Sequence, residues 1–229
     1  MKLADFDFAL PPELIAQHPV NPRDAARMLE IAPEGLADRG VRDLPMRLRR
    51  GDVLVYNDTR VIKARLVGKR GAALVEVTLH QMVEPATWRA FARPAKRLAP
   101  GDTIDFAEGF AAQVAAKGEF GEVTLTFDRG GGALFAALEQ HGRMPLPPYI
   151  KRAREGDPHD AADYQTVWGV REGAVAASTA GLHFTPTLLA ALDAAGIARA
   201  PVTLHVGAGT FLPVKTEDVT QHRLSLIHI

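Results

Sequence analysis

Between residues 61 and 128 the chain consists of short segments in which apolar and polar residues alternate, and this pattern restricts the fold more than any other. The segments are 64–67, 74–82, 87–92, 103–106, 111–115 and 122–127. Turn residues separate most of them, at Gly71, Pro85, Pro100, Gly101, Gly109, Gly118 and Gly121. Several short strands without a helix pattern between them are typical of a small antiparallel barrel. We therefore predict a β-barrel in this region.

The region before the barrel indicates mixed α/β structure. A short helix is predicted over 44–50, where Gly51 ends it. The apolar run 53–56 follows, and we expect it to form a buried strand that ends in a polar turn.

The region after the barrel returns to α/β character. A helix is predicted over 133–141, and a second one begins with Thr185 as N-cap and Pro186 at the first helical position. Gly196 is expected just past the end of that helix. The run 201–206 is predicted to be a strand that leads into a glycine turn.

These patterns predict an α/β fold in which a mixed α/β domain is interrupted by an inserted antiparallel β-barrel domain. The expected boundaries are 1–62 and 146–229 for the α/β domain and 63–145 for the barrel. A chain of 229 residues has enough apolar material for both cores.

Composition excludes several classes of protein. The absence of cysteine removes disulfides and thiolate nucleophiles, and it fits a reducing cytosol. No apolar run approaches the ~18–20 residues of a membrane span, and Asp5 and Asp7 lie where a signal peptide would be apolar. We expect a cytoplasmic protein without membrane contact. Because 27 basic residues balance 27 acidic ones, contacts with nucleic acid must come from local basic patches.

The clearest candidate site is the small-residue segment 176–184. Small residues allow close approach of a ligand, and Thr179 and His183 add a hydroxyl and a titratable ring. The alternative is an ordinary strand–turn–helix in which His183 only packs or caps.

A second candidate is the turn that contains His205, Gly207, Gly209 and Thr210, because ligands of α/β sheets gather at the carboxyl ends of strands. It lacks the third glycine of a dinucleotide fingerprint. The alternative reading of His205 is a satisfied core residue.

A third candidate is the polar series Asn57, Asp58, Thr59 and Arg60, which could orient a polar ligand or accept a proton. A simple capped turn is the alternative.

Two basic patches contain Lys96 and Arg97, and Lys151 and Arg152. Such residues could hold RNA phosphates. For each patch taken alone, a solvated charged loop is the favoured alternative. The scattered histidines show no metal-ligand spacing, so no metal site is expected.

Six groups of motifs, taken in order, are more specific than any one of them. They are DFDF at 5–8 with LIAQHP at 14–19 and PRD at 22–24, NDTRVIKAR at 57–65, MPLPPYI at 144–150, YQTV at 164–167, TAGLHF at 179–184 and TLHVGAGTF at 203–211. This series resembles the S-adenosylmethionine:tRNA ribosyltransferase-isomerase family of queuosine biosynthesis. The resemblance extends from residue 4 to about residue 223.

The resemblance implies an α/β domain interrupted by a β-barrel, and it implies a reaction. The ribosyl part of S-adenosylmethionine is transferred to the aminomethyl group of 7-aminomethyl-7-deazaguanine at the wobble position of tRNA. Rearrangement gives epoxyqueuosine and releases adenine and methionine. The implied partner is the anticodon stem-loop; no metal or cofactor is implied, since S-adenosylmethionine is consumed as a substrate.

This chemistry needs a base for the substrate amine and for a ribose carbon beside the sulfonium. The candidate bases are His183, His205 and Asp58. The candidate substrate-binding residues are Asn57, Thr59, Arg60, Thr179, Gly181, Gly207, Gly209 and Thr210. The candidate tRNA-binding residues are Arg23, Lys96, Arg97, Lys151 and Arg152. We expect the turns near 57, 179 and 207 to converge on one pocket.

The sequence departs from the family at two places. Ser178 occupies a position where the family more often has proline, and 224–229 abandons the motif although the family continues further. We therefore expect a C-terminally truncated chain, for which a non-catalytic tRNA-binding fragment and an inactive product are the alternatives.

Overall fold

A computed structural model describes residues 1–153, 156–207, 210, 214 and 216–221, and the backbone of 227–228. Within these residues, no helix is both long and apolar enough to cross a membrane.

The predicted barrel is confirmed. Six antiparallel strands close in the order β10-β7-β6-β5-β8-β9. Their bounds are Arg65–Arg70 (β5), Ala73–Glu84 (β6), Thr87–Arg93 (β7), Thr103–Ala107 (β8), Phe110–Lys117 (β9) and Glu122–Phe127 (β10). Alternate residues point inward, as Val75, Val77 and Leu79 do on β6. Closure leaves these strands without an unpaired edge.

The helix predicted over 133–141 is confirmed as α2 (Gly131–His141), and its Leu134 and Leu138 are buried in the same core as the barrel residues. The chain then returns past the point where it enters the barrel. The amide of Arg65 donates to the carbonyl of Arg143 at 3.1 Å, and the amide of Arg143 donates to the carbonyl of Arg65 at 2.8 Å. We call this pair of hydrogen bonds the barrel neck.

The α/β part pairs strands from both sides of the barrel. Strand β3 (Val53–Asn57) runs parallel to β12 (Ala198–Val202), and β4 (Thr59–Val61) runs parallel to β11 (Arg171–Ala174). The mixed α/β fold with a barrel between its halves is thereby confirmed.

Helix α4 (Pro186–Ala194) begins as predicted. The Thr185 hydroxyl oxygen accepts from the Leu188 amide at 3.1 Å and donates to Asp24 at 2.7 Å. Leu188 and Leu192 bury the inner face of the helix against Trp168, whose ring stacks on Tyr56 at 4.6 Å between centroids.

Three local predictions are wrong in part. Helix α1 (Leu44–Arg47) is shorter than 44–50. Strand β3 is not fully buried, since Val53 and Val55 are 55% and 60% exposed. Only its opposite face, with Leu54 and Tyr56, packs against the apolar residues around α4. The run 201–206 is split at Thr203, because β12 pairs with β3 whereas β13 (Leu204–His205) pairs with β14 (Ile227–His228).

One hairpin was not predicted, formed by β1 (Arg27–Ala32) and β2 (Gly35–Gly40). Leu29 and Ile31 of β1 are exposed, whereas Glu30 shares the less exposed face of the strand with Met28. Arg39 and Arg47 donate to Glu30, and the hydrogen bond from Arg39 is the main cause of its lowered pKa. A short 3-10 turn at Arg23–Ala25 and the small helix α3 (Asp160–Asp163) complete the elements near the site.

We expect Gly142→Ala to destabilise the fold. An added methyl group would lie 2.0 Å from the Lys63 carbonyl oxygen and 2.5 Å from that of Leu138, so the backbone beside the barrel neck must move. The expected loss in the free energy of unfolding is about 1–3 kcal/mol. Gly132→Ala is the matched control, because it lies in α2 with nothing within 4 Å of the new methyl group. Urea unfolding measures both; equal stability of the two variants would contradict the prediction.

Candidate functional site

Two adjoining cavities lie where the segments 16–27, 146–150, 160–164 and 176–183 meet. The first, of about 560 Å³, we call the arginine cavity, and it is lined by Arg23, Arg152, Leu146, Ile150, Asp163 and His183 among others. The second, of about 820 Å³, we call the alanine cavity, and it is lined by Ala176, Ala177, Ser178, Ala180, Val206 and Thr210 among others. Both volumes are typical of small-molecule sites.

The two cavities share a wall. Four residues line both of them: Pro147, Tyr149, Tyr164 and Thr179. A ligand larger than either cavity could therefore extend from one into the other along these residues.

Tyr164 is the buried member of this shared wall, with 6% of its surface exposed. Burial raises the pKa of Tyr164 to about 12, and the nearby backbone amide of Ala177 opposes this shift. The phenol is therefore neutral near pH 7, and its hydroxyl has no hydrogen-bond partner among the described residues.

Arg152 is part of the frame of the arginine cavity. Its Nε donates to Asp160 at 2.9 Å and its Nη2 to the carbonyl of Gln17 at 2.8 Å, and both charged side chains are nearly buried. The pair thus joins the N-terminal segment to α3 and neutralises its own charge.

His183 faces the arginine cavity from the end of the 3-10 turn Thr179–His183. Its Nδ1 lies 3.2 Å from the Ala180 carbonyl oxygen. Because a carbonyl only accepts, Nδ1 is the donor in this contact, and the neutral form of the ring then carries its lone pair on Nε2. The turn itself is packed closely: a methyl group on Gly181 would lie 3.1 Å from Thr166 and 3.2 Å from the Trp168 ring.

The polar residues after β3 hold two strand ends together. Asn57 donates to the Leu204 carbonyl at 2.9 Å and accepts from the Leu204 amide at 3.1 Å. Thr59 also donates to the Leu204 carbonyl, at 3.2 Å, and Asp58 accepts from the Thr203 hydroxyl at 2.8 Å. Within the turn itself, the Thr59 amide donates to Asn57 Oδ1 at 3.2 Å.

The remaining predicted residues have mixed positions. His205 lies against Gly173, where an added methyl group would be 2.8 Å from its Nδ1. Gly207 approaches the barrel, since a methyl group there would lie 3.2 Å from the His80 carbonyl oxygen. Arg60 is exposed on β4, and Gly209 lies outside the described residues.

The three turns that were expected to converge on one pocket are therefore only partly brought together. The 57–59 and 203–205 turns bond to each other, and Thr179 and Thr210 share the alanine cavity. Asp58 and His205 are not among the described residues that line either cavity. Their role as bases stays a prediction.

Sequence reasoning gave no role to Tyr149, Tyr164 or Pro147, which form most of the shared wall. All three belong to the MPLPPYI and YQTV motifs, so the signal was present in the motifs without a stated function.

The five predicted tRNA-binding residues divide into two groups. Lys96, Arg97 and Lys151 are exposed, the first two on the 3-10 turn Ala95–Arg97 of the barrel. Arg23 and Arg152 instead direct their guanidinium groups into the fold. In the described part of the chain, no group of three or more acidic or histidine side chains is arranged to hold a metal ion.

Sequence comparison identifies the class of protein to which the chain belongs. Residues 3–226 match the family described as queuosine biosynthesis protein, and the chain belongs to this family.

Its relatives carry a more specific name. S-adenosylmethionine:tRNA ribosyltransferase-isomerase of Rhodospirillum rubrum is 62% identical over 98% of this chain and 64% of the relative. The same-named protein of Phenylobacterium zucineum is 58% identical over 98% of this chain and 67% of its own length. A crystal structure of S-adenosylmethionine tRNA ribosyltransferase from Thermotoga maritima is 32% identical, with 89% of this chain and 58% of that chain covered and a TM-score of 0.35. The chain thus spans 64% of the length of the Rhodospirillum relative.

We expect Arg152→Met to destabilise the chain by about 3 kcal/mol, because it leaves Asp160 charged and nearly buried without its partner. Arg199→Met is the matched control: it breaks an ion pair with Asp193 that is more exposed, and the expected cost is below about 1 kcal/mol. Denaturant unfolding of both variants measures the difference. Losses of equal size would show that the Arg152 pair is no more important than a surface pair.

Proposed function

We propose that this chain takes part in the reaction named for its relatives. The ribosyl moiety of S-adenosylmethionine would be transferred to 7-aminomethyl-7-deazaguanine in tRNA, giving epoxyqueuosine with release of adenine and methionine. The observation that carries this proposal is the 62% identity over 98% of the chain with a ribosyltransferase-isomerase. Two adjoining cavities of suitable size support it.

Among the candidate bases, His183 has the strongest geometric support. The reaction requires removal of a proton from the substrate amine and from a ribose carbon beside the sulfonium. His183 lines the arginine cavity, and its Nε2, which is not used in the contact with Ala180, would accept one of these protons. His205 and Asp58 remain as alternative bases that would need the substrate to reach the strand-end turn.

The proposed substrate-binding residues fall into two sets. Thr179, Gly181 and Thr210 would shape the nucleoside cavity directly or through the turn that ends at His183. The second set would act by fixing the strand ends beside that cavity, and it comprises Asn57, Thr59, Arg60 and Gly207. Gly209, which lies outside the described residues, stays a predicted substrate-binding residue.

For tRNA we propose that Lys96, Arg97 and Lys151 contact phosphates of the anticodon stem-loop, because these cations are exposed. RNA contacts of Arg23 and Arg152 stay a prediction, since both guanidinium groups bond within the fold. We further propose a cytoplasmic location, no resident cofactor, and the domain boundaries 1–62 with 146–229 and 63–145.

We expect His183→Gln to reduce adenine release from S-adenosylmethionine at least about 100-fold, because glutamine cannot act as a base. The assay is chromatographic detection of adenine after incubation of the chain with S-adenosylmethionine and tRNA that carries the deazaguanine base. His141→Gln is the control, since His141 lies at the end of α2 and should leave release unchanged. Normal release by His183→Gln would overturn its assignment. Binding of tRNA without release by the unmodified chain would instead support the non-catalytic alternative, and neither binding nor release would support an inactive product.

Replacing Lys96 and Arg97 together by glutamine should weaken tRNA binding. Phosphates that the two cations no longer neutralise keep their counterions, so the free energy of counterion release is lost. The slope of log K against log salt should decrease by about 1 for each such phosphate. Lys117→Gln is the control, since Lys117 is an exposed cation at the end of β9 outside the proposed patch. Filter binding at several salt concentrations measures the slope. An unchanged slope in the double variant would exclude these two residues from the RNA interface.

A further inference from the structure

Arg23 differs from Arg152, which also lines the arginine cavity, in how its charge is compensated. Its Nη1 donates to the carbonyls of Gln165 at 2.9 Å and Leu182 at 3.3 Å, and its Nη2 donates to the carbonyl of Ala162. These acceptors are neutral. The nearest carboxylate, Asp163, lies 3.6 Å away. Arg152, in contrast, donates directly to the Asp160 carboxylate.

The three carbonyls hold the Arg23 guanidinium in a fixed position while part of it stays available. The side chain is 21% exposed and lines the arginine cavity. Within the described residues, no acceptor is bonded to its Nε. A rigid guanidinium with free N–H groups is suited to bind a carboxylate, often through two parallel hydrogen bonds.

The rest of the arginine cavity suits a short aliphatic chain that ends in charges of both signs. Leu146, Ile150 and Leu182 supply an apolar wall, and Asp163 lies beside Arg23 with 28% of its side chain exposed. The alanine cavity differs, because its lining consists of small, aromatic and uncharged residues, which suit a planar ring.

We propose that the arginine cavity binds the amino-acid end of the sulfonium nucleoside, with the carboxylate on Arg23 and the ammonium group beside Asp163. The inference rests on the proposed function. The aliphatic part of the ligand then lies along Leu146 and Ile150, and the purine ring occupies the alanine cavity across the wall that contains Thr179 and Tyr164.

The test compares the affinity of the chain for S-adenosylmethionine and for its decarboxylated analogue, which keeps the nucleoside, the sulfonium and the amine but lacks the carboxylate. Hydrogen bonds to a charged group contribute about 1.5–3 kcal/mol. We therefore expect the chain to bind S-adenosylmethionine at least about 10-fold more tightly, as measured by isothermal titration calorimetry. Equal affinities, or no binding of S-adenosylmethionine, would overturn the inference without recourse to a variant.

Two variants assign the effect to Arg23. Arg23→Gln should lose the discrimination, because it should weaken the binding of S-adenosylmethionine more than it weakens the binding of the analogue. Arg23→Lys keeps the charge without the planar fork and should retain part of it. Arg39→Gln is the matched control, since Arg39 is paired with Glu30 on the hairpin and should leave both affinities unchanged. Discrimination that survives in a folded Arg23→Gln would overturn the assignment.

The outcomes separate this inference from the proposed reaction. Adenine release that is equally efficient with the decarboxylated analogue would overturn the carboxylate site and leave the reaction intact. Discrimination in binding without adenine release would support the site and contradict the reaction for this chain.

Discussion

Hydrogen bonds from Arg23 and Arg152 to backbone carbonyls hold together the segments of irregular structure around the two cavities. Arg152 reaches Gln17 and Asp160, and Arg23 reaches carbonyls of Ala162, Gln165 and Leu182. These segments include little regular sheet, so several of their carbonyl groups accept hydrogen bonds from side chains instead of from neighbouring strands. A guanidinium has five N–H donors and can serve several carbonyls at once. The cavities exist in this form because those donors fix the distance between the segments that surround them.

A part of the structure could be predicted from the sequence when the residues that define it lie close together along the chain. Barrel strands and the α4 cap were predicted because alternation, turn residues and the Thr185–Pro186 pair are local signals. The β1–β2 hairpin was missed because Leu29, Ile31 and Leu36 are exposed while the charged Glu30 lies on the less exposed face of its strand. Arg23 was predicted to bind RNA because of its charge. Its hydrogen-bond partners lie 139 to 159 residues away, so no local sequence pattern indicates them.

The candidate site was predicted best where a side chain's neighbours are also its neighbours in sequence. His183 and Thr179 were selected from their small-residue turn, and both line a cavity. Asp58 and Asn57 have the residue types of a reactive site, but their hydrogen bonds join strand ends. Residue type alone could not separate these uses, because a carboxylate or an amide performs either task equally well. Tyr164 illustrates the converse, since its placement between cavities is visible only in three dimensions.

The barrel neck has a consequence for how the chain is organised. The amides and carbonyls of Arg65 and Arg143 bond reciprocally, so the polypeptide enters and leaves the barrel at adjacent points. A module whose ends coincide imposes almost no spacing requirement on its host. Strands β3 and β4 can therefore find β12 and β11 as though they were joined by a short loop. The pairing of β3 with β12 and of β4 with β11 therefore does not depend on how many residues lie between the two ends of the neck.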